Sequence, residues 1–316
     1  MKRVAIGVLT LNHPEVVEEV LSLMAPIYQT FGEFGLDVYY FDSSNNDETE
    51  KIVLKYRNEG CGNLYYRRMD SEIEGEEKVF SFFHNVDMAD TYDYYWLVKD
   101  RVAFDLGSML KVYQAMCMQK YDVIVLDGYG KGYGSEMPTR EYTDPTEFYR
   151  DFGWIIPSMD ATIYRHTLLD VYDWDESGSY RGDEYLHDFM HYNIVFTGLA
   201  KLESPCAYVI HYDDMVILSF ASANTHSGWI KETFLVWKKL WVEVNDNLPS
   251  IYDLYKDEVI RGKALPTNLL SEEGMRELKQ LGALTSENVD FVLDGLERVT
   301  DVPKDVVKRI AFEESN

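Results

Sequence analysis

Apolar residues come in short runs separated by stretches with helical spacing. Residues 4–9 form a continuous apolar run, the pattern of a strand buried on both faces. Val16, Val17, Val20, Leu21 and Met24 then fall on one face of a helix over residues 14–28. The alternation repeats. Strands are expected at 36–41, 64–67, 94–98, 122–126, 161–164 and 207–211. Helices are expected at 48–56, 76–89, 106–118 and between the last two strands. Strands that take turns with helices imply an α/β fold with a mostly parallel sheet flanked by helices.

Two stretches depart from this rhythm. Residues 128–145 are rich in Gly, Tyr, Ser and Thr and read as a long loop, with Lys131 among its glycines. Its glycine spacing fits no phosphate-loop pattern. Beyond a boundary near residue 223 the pattern is helical throughout, so residues 1–223 form one domain and 224–316 a C-terminal helical region. Residues 229–244 and 248–261 read as amphipathic helices. Three shorter ones follow, with caps expected at Ser271, Ser286 and Asp301 and Pro303 in the last one's first turn. Trp229, Thr233, Trp237 and Trp241 form a stripe. Packing against the first domain or a second copy is its plainer use; contact with a membrane surface is the other.

Composition narrows the partners. The 316 residues carry a formal charge of -25, which argues against nucleic acid. Three scattered cysteines, Cys61, Cys117 and Cys206, suggest neither a disulfide framework nor a zinc site. The first apolar run is too short for a signal peptide and none spans a bilayer, so a cytoplasmic protein is expected.

The candidate chemistry lies at strand ends. The first strand closes on Thr10-Leu11-Asn12. The second closes on Asp42, followed by Ser43-Ser44-Asn45-Asn46-Asp47-Glu48-Thr49 and a helix. Ligands of open α/β sheets bind beyond the carboxyl ends of the strands, and a helix start favours anionic groups. The plainer reading of the loop is a turn capped by Asp47, with Glu50 completing a capping box. The fourth strand closes on Lys99-Asp100-Arg101, by itself an ordinary charged turn.

Together these segments resemble the inverting family 2 glycosyltransferases of the GT-A fold. The first strand of that family ends in a Thr-Tyr-Asn-like triplet. Its second ends in an Asp-x-x-Ser-x-Asp-x-Thr-like loop, on which Asp42, Asp47 and Thr49 fall, with Asn45 at the usual Ser. The resemblance implies a nucleotide-sugar donor, UDP-linked by expectation, held by Thr10, Asn12, Asp42, Asp47 and Lys99. It also implies Mn²⁺ or Mg²⁺ on an Asp-x-Asp motif, of which Asp100 alone remains, with His211 as a further ligand. Residues 148–154 and 161–169 resemble a segment of bacterial capsule and cell-surface sugar transferases. That places Trp154 and Asp160 on the side of a saccharide or lipid-linked acceptor. An inverting transfer needs a carboxylate base. Asp183 is the first choice and Glu184 the second; the plainer reading has both opening a helix. The eroded metal motif also permits a non-catalytic member that binds a partner transferase, and the helical tail permits self-association.

Overall fold

The computed structural model describes residues 3–73, 75–84, 92–126, 139–156, 159–172, 190–211, 217–219, 242, 244–261, 271–296, 298 and 300–313. The first half alternates as the hydrophobic pattern predicts: β1 (Val4–Thr10), α1 (Pro14–Gly32), β2 (Leu36–Asp42), α2 (Glu48–Asn58), β3 (Leu64–Arg68), α3 (Gly75–His84) and β4 (Tyr94–Lys99). Then come β5 (Val102–Phe104), α4 (Leu106–Cys117), β6 (Val123–Leu126), β7 (Arg140–Tyr142), α5 (Pro145–Phe152), β8 (Thr162–Arg165), α6 (His166–Val171), α7 (Met190–Lys201), β9 (Ala207–Ile210) and β10 (Ile217–Ser219).

An eight-stranded sheet runs in the order β3-β2-β1-β4-β8-β6-β9-β7. Strands β3, β2, β1 and β4 are mutually parallel, as are β6 and β9. Strand β8 lies antiparallel between β4 and β6, and β7 is antiparallel on β9. A separate ribbon pairs β5 with β10. The pattern predicts neither ribbon strand, and β7 falls inside the expected 128–145 loop. Three residues are too few to show a period, and Arg140-Glu141-Tyr142 carries no apolar run.

The sheet buries both faces. Side chains alternate along β1 and β4: Ala5, Tyr95 and Leu97 join one apolar cluster, while Val4, Ile6, Tyr94, Trp96 and Val98 join the other. Helices α1 and α4 cover the second face. Helices α3, α5 and α7 cover the first. Gly7, at the centre of β1, lets α3 settle closely: a Cβ there would stand 2.6 Å from the Phe82 ring.

The C-terminal helices continue that first cluster. Tyr252, Val259, Met275, Leu278, Val292 and Ile310 share it with Phe148, Tyr149 and Phe196. The helices are α8 (Lys256–Arg261), α9 (Glu272–Gln280), α10 (Val289–Leu296) and α11 (Lys304–Phe312). The single helix expected at 248–261 is instead a 3₁₀ turn, Ser250–Tyr252, followed by α8, because Pro249 sets a new start. Ser271 caps α9 as expected, its Oγ accepting from Gly274 N at 3.1 Å. The next cap sits one residue before Ser286, where Asn288 N donates to Thr285 Oγ1 at 3.2 Å and Thr285 N to Asn288 Oδ1 at 2.8 Å. Pro303 rather than Asp301 precedes α11 and makes no side-chain cap. The boundary near 223 and the whole tryptophan stripe lie outside the described residues. Among those described, no helix is long and apolar enough to cross a membrane.

Candidate functional site

The carboxyl ends of β1, β2 and β4 lie side by side. Thr10 is in register with Asp42, and Leu9 with Lys99. Each crossover returns the chain to the same edge of the sheet, so the three strand-final motifs converge there. Two of them are joined directly: Thr10 Oγ1 donates to Asp100 Oδ2 at 2.9 Å.

After β1 the chain turns sharply. Asn12 has a φ of 54°, a left-handed conformation that Asn tolerates better than most residues. Its N–H donates to Ser44 Oγ at 2.7 Å, and its Oδ1 accepts from Asn45 N at 3.2 Å. The two loops are thereby tied to each other.

Asp42 holds the second loop from beneath. Its Oδ1 accepts from Ser44 N at 2.8 Å and from Ser44 Oγ; its Oδ2 accepts from Tyr66 OH at 2.7 Å. Arg68 Nη1 stands 3.9 Å from Oδ2 and donates to Ser44 O at 2.8 Å and Asn46 O at 2.5 Å. The carboxylate is fully buried, so Asn12, Asn45 and the half-exposed Arg68 carry the polar surface above it. Tyr66 has its pKa raised, first by burial and then by its hydrogen bond to Asp42.

Asp100 is buried as well. Besides Thr10, its Oδ2 meets His13 Nδ1 at 3.3 Å, and its Oδ1 meets Arg101 Nε at 3.6 Å. The hydrogen bond to Asp100 raises the His13 pKa, outweighing the opposing effect of burial. From α3, Lys78 reaches beneath the same corner and donates to Thr10 O at 3.1 Å. Burial lowers the Lys78 pKa, while Asp42 and Asp100 oppose that shift. A third buried carboxylate, Asp160, accepts from Lys99 N and pairs with Lys99 Nζ at 3.0 Å.

The predicted residues thus divide. Thr10, Asn12, Asp42, Lys99, Asp100 and Asp160 come together. Asp47 does not: it is exposed, pairs with Lys51 at 2.9 Å, and its side chain makes no cap, so the expected capping box is absent. Asn46 Oδ1 accepts from Glu48 N instead. Thr49 is buried in α2. Trp154 lies partly buried against the core, with its Nε1 donating to Asp151 O at 2.8 Å. His211 follows β9 and its N–H donates to Thr139 Oγ1 at 3.0 Å. Asp183, Glu184 and the glycine loop with Lys131 lie outside the described residues.

His13, Ser44, Tyr66, Arg68 and Lys78 complete the site without having been singled out in the sequence. Arg68 ends β3 in register with Asp42, a pairing that the sequence pattern does not give. Lys78 left a trace, as a lone cation beside the apolar Val79-Phe80-Ser81-Phe82-Phe83.

The Mn²⁺ or Mg²⁺ expected at Asp100 finds a poor fit. Among the described residues, no group of three or more His, Cys, Asp or Glu side chains could hold a metal ion. Both Asp100 oxygens already face partners, Thr10 and His13 at Oδ2 and Arg101 at Oδ1. A cation held against the carboxylate repels a second, divalent one placed there.

No family model matches the chain, and no characterised protein matches it by sequence. Solved structures match by fold. S. aureus TarS 1–349 gives a TM-score of 0.58 at 14% identity, over 98% of this chain and 90% of that one. The same fragment in complex with UDP-GlcNAc gives 0.54 at 18%, over 94% and 82%. Mannosyltransferase PcManGT from Pyrobaculum calidifontis, in complex with GDP-Man and Mn²⁺, gives 0.55 at 13%, over 96% and 78%. Against the longer TarS structure the chain spans 55% of that protein's length. At these identities the likeness concerns architecture, and it agrees with the mixed eight-stranded sheet and its flanking helices: the chain has the GT-A fold.

Proposed function

We propose that the chain is a glycosyltransferase that moves a sugar from a nucleotide diphosphate, UDP in the first reading, to a saccharide or lipid-linked acceptor in surface polysaccharide synthesis, with inversion and in the cytoplasm. One observation carries this reading. Three strand ends meet at buried Asp42 and Asp100, joined through Thr10 and the Asn12–Ser44 contact. Such a corner offers fixed polar groups to a base and ribose, with cations beside them for a diphosphate. The complexes of TarS with UDP-GlcNAc and of PcManGT with GDP-Man support the donor class.

In this reading Asp42 does not lie bare to the ligand. It fixes Ser44, Tyr66 and Arg68, so that Asn12, Asn45 and Arg68 present a shaped polar rim. Transfer then requires a base. Asp183, with Glu184 as second choice, takes the acceptor hydroxyl's proton as that oxygen attacks the anomeric carbon. The bond from that carbon to the diphosphate breaks and the nucleotide leaves. Asp183→Ala is expected to cut transfer by about 10²–10⁴-fold while leaving nucleotide affinity unchanged. Unchanged turnover would remove Asp183 from this role. The partner-binding reading has an observation of its own in the engaged oxygens of Asp100. Hydrolysis of a donor sugar by the purified protein alone would exclude it.

A further inference from the structure

We infer that Lys78 is the buried counter-charge of the donor's diphosphate, the charge that this group meets when the nucleotide binds. The inference rests on the nucleotide-sugar reading above and names the residue that makes the site prefer a diphosphate.

Each buried carboxylate of the corner already has a cation of its own. Arg68 stands 3.9 Å from Asp42, Arg101 3.6 Å from Asp100 and Lys99 3.0 Å from Asp160. Lys78 differs: among the described residues it forms no ion pair, and its hydrogen bond goes to a neutral carbonyl, Thr10 O, at 3.1 Å. That oxygen also accepts from Ser43 N at 3.3 Å, so the strand end is satisfied without a charge. On the surface such a lysine would need no explanation. Lys78, however, is only 5% exposed, whereas the side chains of Arg68, Lys99 and Arg101 are 38%, 39% and 35% exposed. Burying an ammonium group costs far more than one hydrogen bond to a carbonyl offsets. Asp42 and Asp100 favour its charged form from beyond contact distance, against the effect of burial.

Packing puts the ammonium where a ligand would need it. Phe82, one turn further along α3, lies against Gly7 of β1, where a Cβ would stand 2.6 Å from its ring. Lys78 is thereby held at the carboxyl end of β1, the strand between β2 and β4. The ligand of an open α/β sheet binds beyond that end. A buried charge is weakly screened by salt and water, so this one favours phosphate groups above it without having to touch them.

The test is calorimetric titration of the full chain with UDP, GDP, ADP, CDP and dTDP, each once with EDTA and once with Mn²⁺. The diphosphate that binds and its monophosphate are then titrated into Lys78→Gln, whose amide can still donate to Thr10 O but carries no charge. A graded loss is expected: at least about tenfold for the diphosphate and no more than about threefold for the monophosphate. Lys78→Arg, which keeps the charge, is expected to hold the ratio of the two affinities within about threefold of the natural chain's. Equal losses for both ligands in Lys78→Gln would mark a structural role and overturn the inference, as would no loss at all. The natural chain supplies a second measurement that does not depend on a variant folding. Between about 50 and 500 mM NaCl the same ratio is expected to change by less than about twofold. A larger fall would assign the diphosphate to the exposed cations and overturn the inference. All these failures leave the nucleotide-sugar reading standing. No binding of any diphosphate by the natural chain, with EDTA or with Mn²⁺, would sink both.

Discussion

Two buried polar clusters of this molecule follow different rules. One lies between α5, α7 and the C-terminal segment. There Tyr149 OH and Tyr192 OH both donate to Asn245 Oδ1, at 2.6 and 2.8 Å, and Tyr252 OH donates to Phe196 O at 2.8 Å. All four of these side chains are uncharged and buried, and each named bond closes inside the protein. The other lies at the ends of β1, β2 and β4. It holds three buried carboxylates whose cationic partners, Arg68, Lys99 and Arg101, reach into water. A neutral, closed network adds stability by leaving nothing unsatisfied. Charged groups with one end in solvent add little stability and present fixed electrostatics to a ligand. The first cluster therefore ties the C-terminal segment to α5 and α7, and the second is where we propose that the ligand binds.

This contrast can be broken most readily at Asn245. Asn245→Leu removes the acceptor of two buried hydroxyls and is expected to cost about 3 kcal/mol of stability, at 1–3 kcal/mol for each orphaned group. Chemical denaturation would measure it. Nucleotide affinity should be untouched, and a parallel loss of affinity would show that the two clusters are not separate.

Gly7→Ala tests the link between core and site. The added methyl meets the Phe82 ring at 2.6 Å, so α3 must shift, at a cost of about 1–3 kcal/mol. Because α3 carries Lys78, affinity should fall together with stability. A stability loss with full affinity would detach Lys78 from the site.

His13 sharpens the electrostatic side. Its folded pKa is raised by Asp100 above the ordinary value of 6.5. The stabilisation from this pair is therefore fully present below pH 6.5 and is lost as pH rises through the raised folded value. It should amount to about 1 kcal/mol. His13→Gln is expected to lower the melting temperature at acidic pH and to have little effect at alkaline pH. The reverse order would contradict the assignment. The smallest effect is expected at Asp47, whose pair with Lys51 is exposed and screened by solvent and adds almost nothing to stability. If Asp47→Ala nevertheless weakened nucleotide binding, that residue would return to the ligand surface where its motif position puts it.

The parts of the site that were legible in the sequence share a cause. Thr10, Asn12, Asp42 and Asp100 end or follow parallel strands, and in a parallel sheet strand-final positions meet whatever the helices do. The same holds for the core, where runs at 4–9 and 94–98 sufficed to place β1 and β4. What escaped depends on angles rather than on periods. Lys78 reaches Thr10 only because Gly7 lets α3 lie close, and His13 meets Asp100 only after the left-handed turn at Asn12. Tyr66 and Arg68 needed the pairing of β3 with β2, which spacing alone does not give. Asp47 illustrates the opposite case, a motif position whose side chain the fold turns toward Lys51 and solvent.

The central claim is that the Asp42 corner shapes a nucleotide site. Its most direct test is titration of nucleoside diphosphates into the natural chain and into Asp42→Asn, with melting temperatures recorded for both. Asn is close in shape and can keep an acceptor for Ser44, but it lacks the charge that faces Tyr66 and Arg68. The account predicts that the natural chain binds at least one nucleotide and that Asp42→Asn, still folded, binds it at least about tenfold more weakly. Equal binding by both chains, or binding by neither, would contradict it.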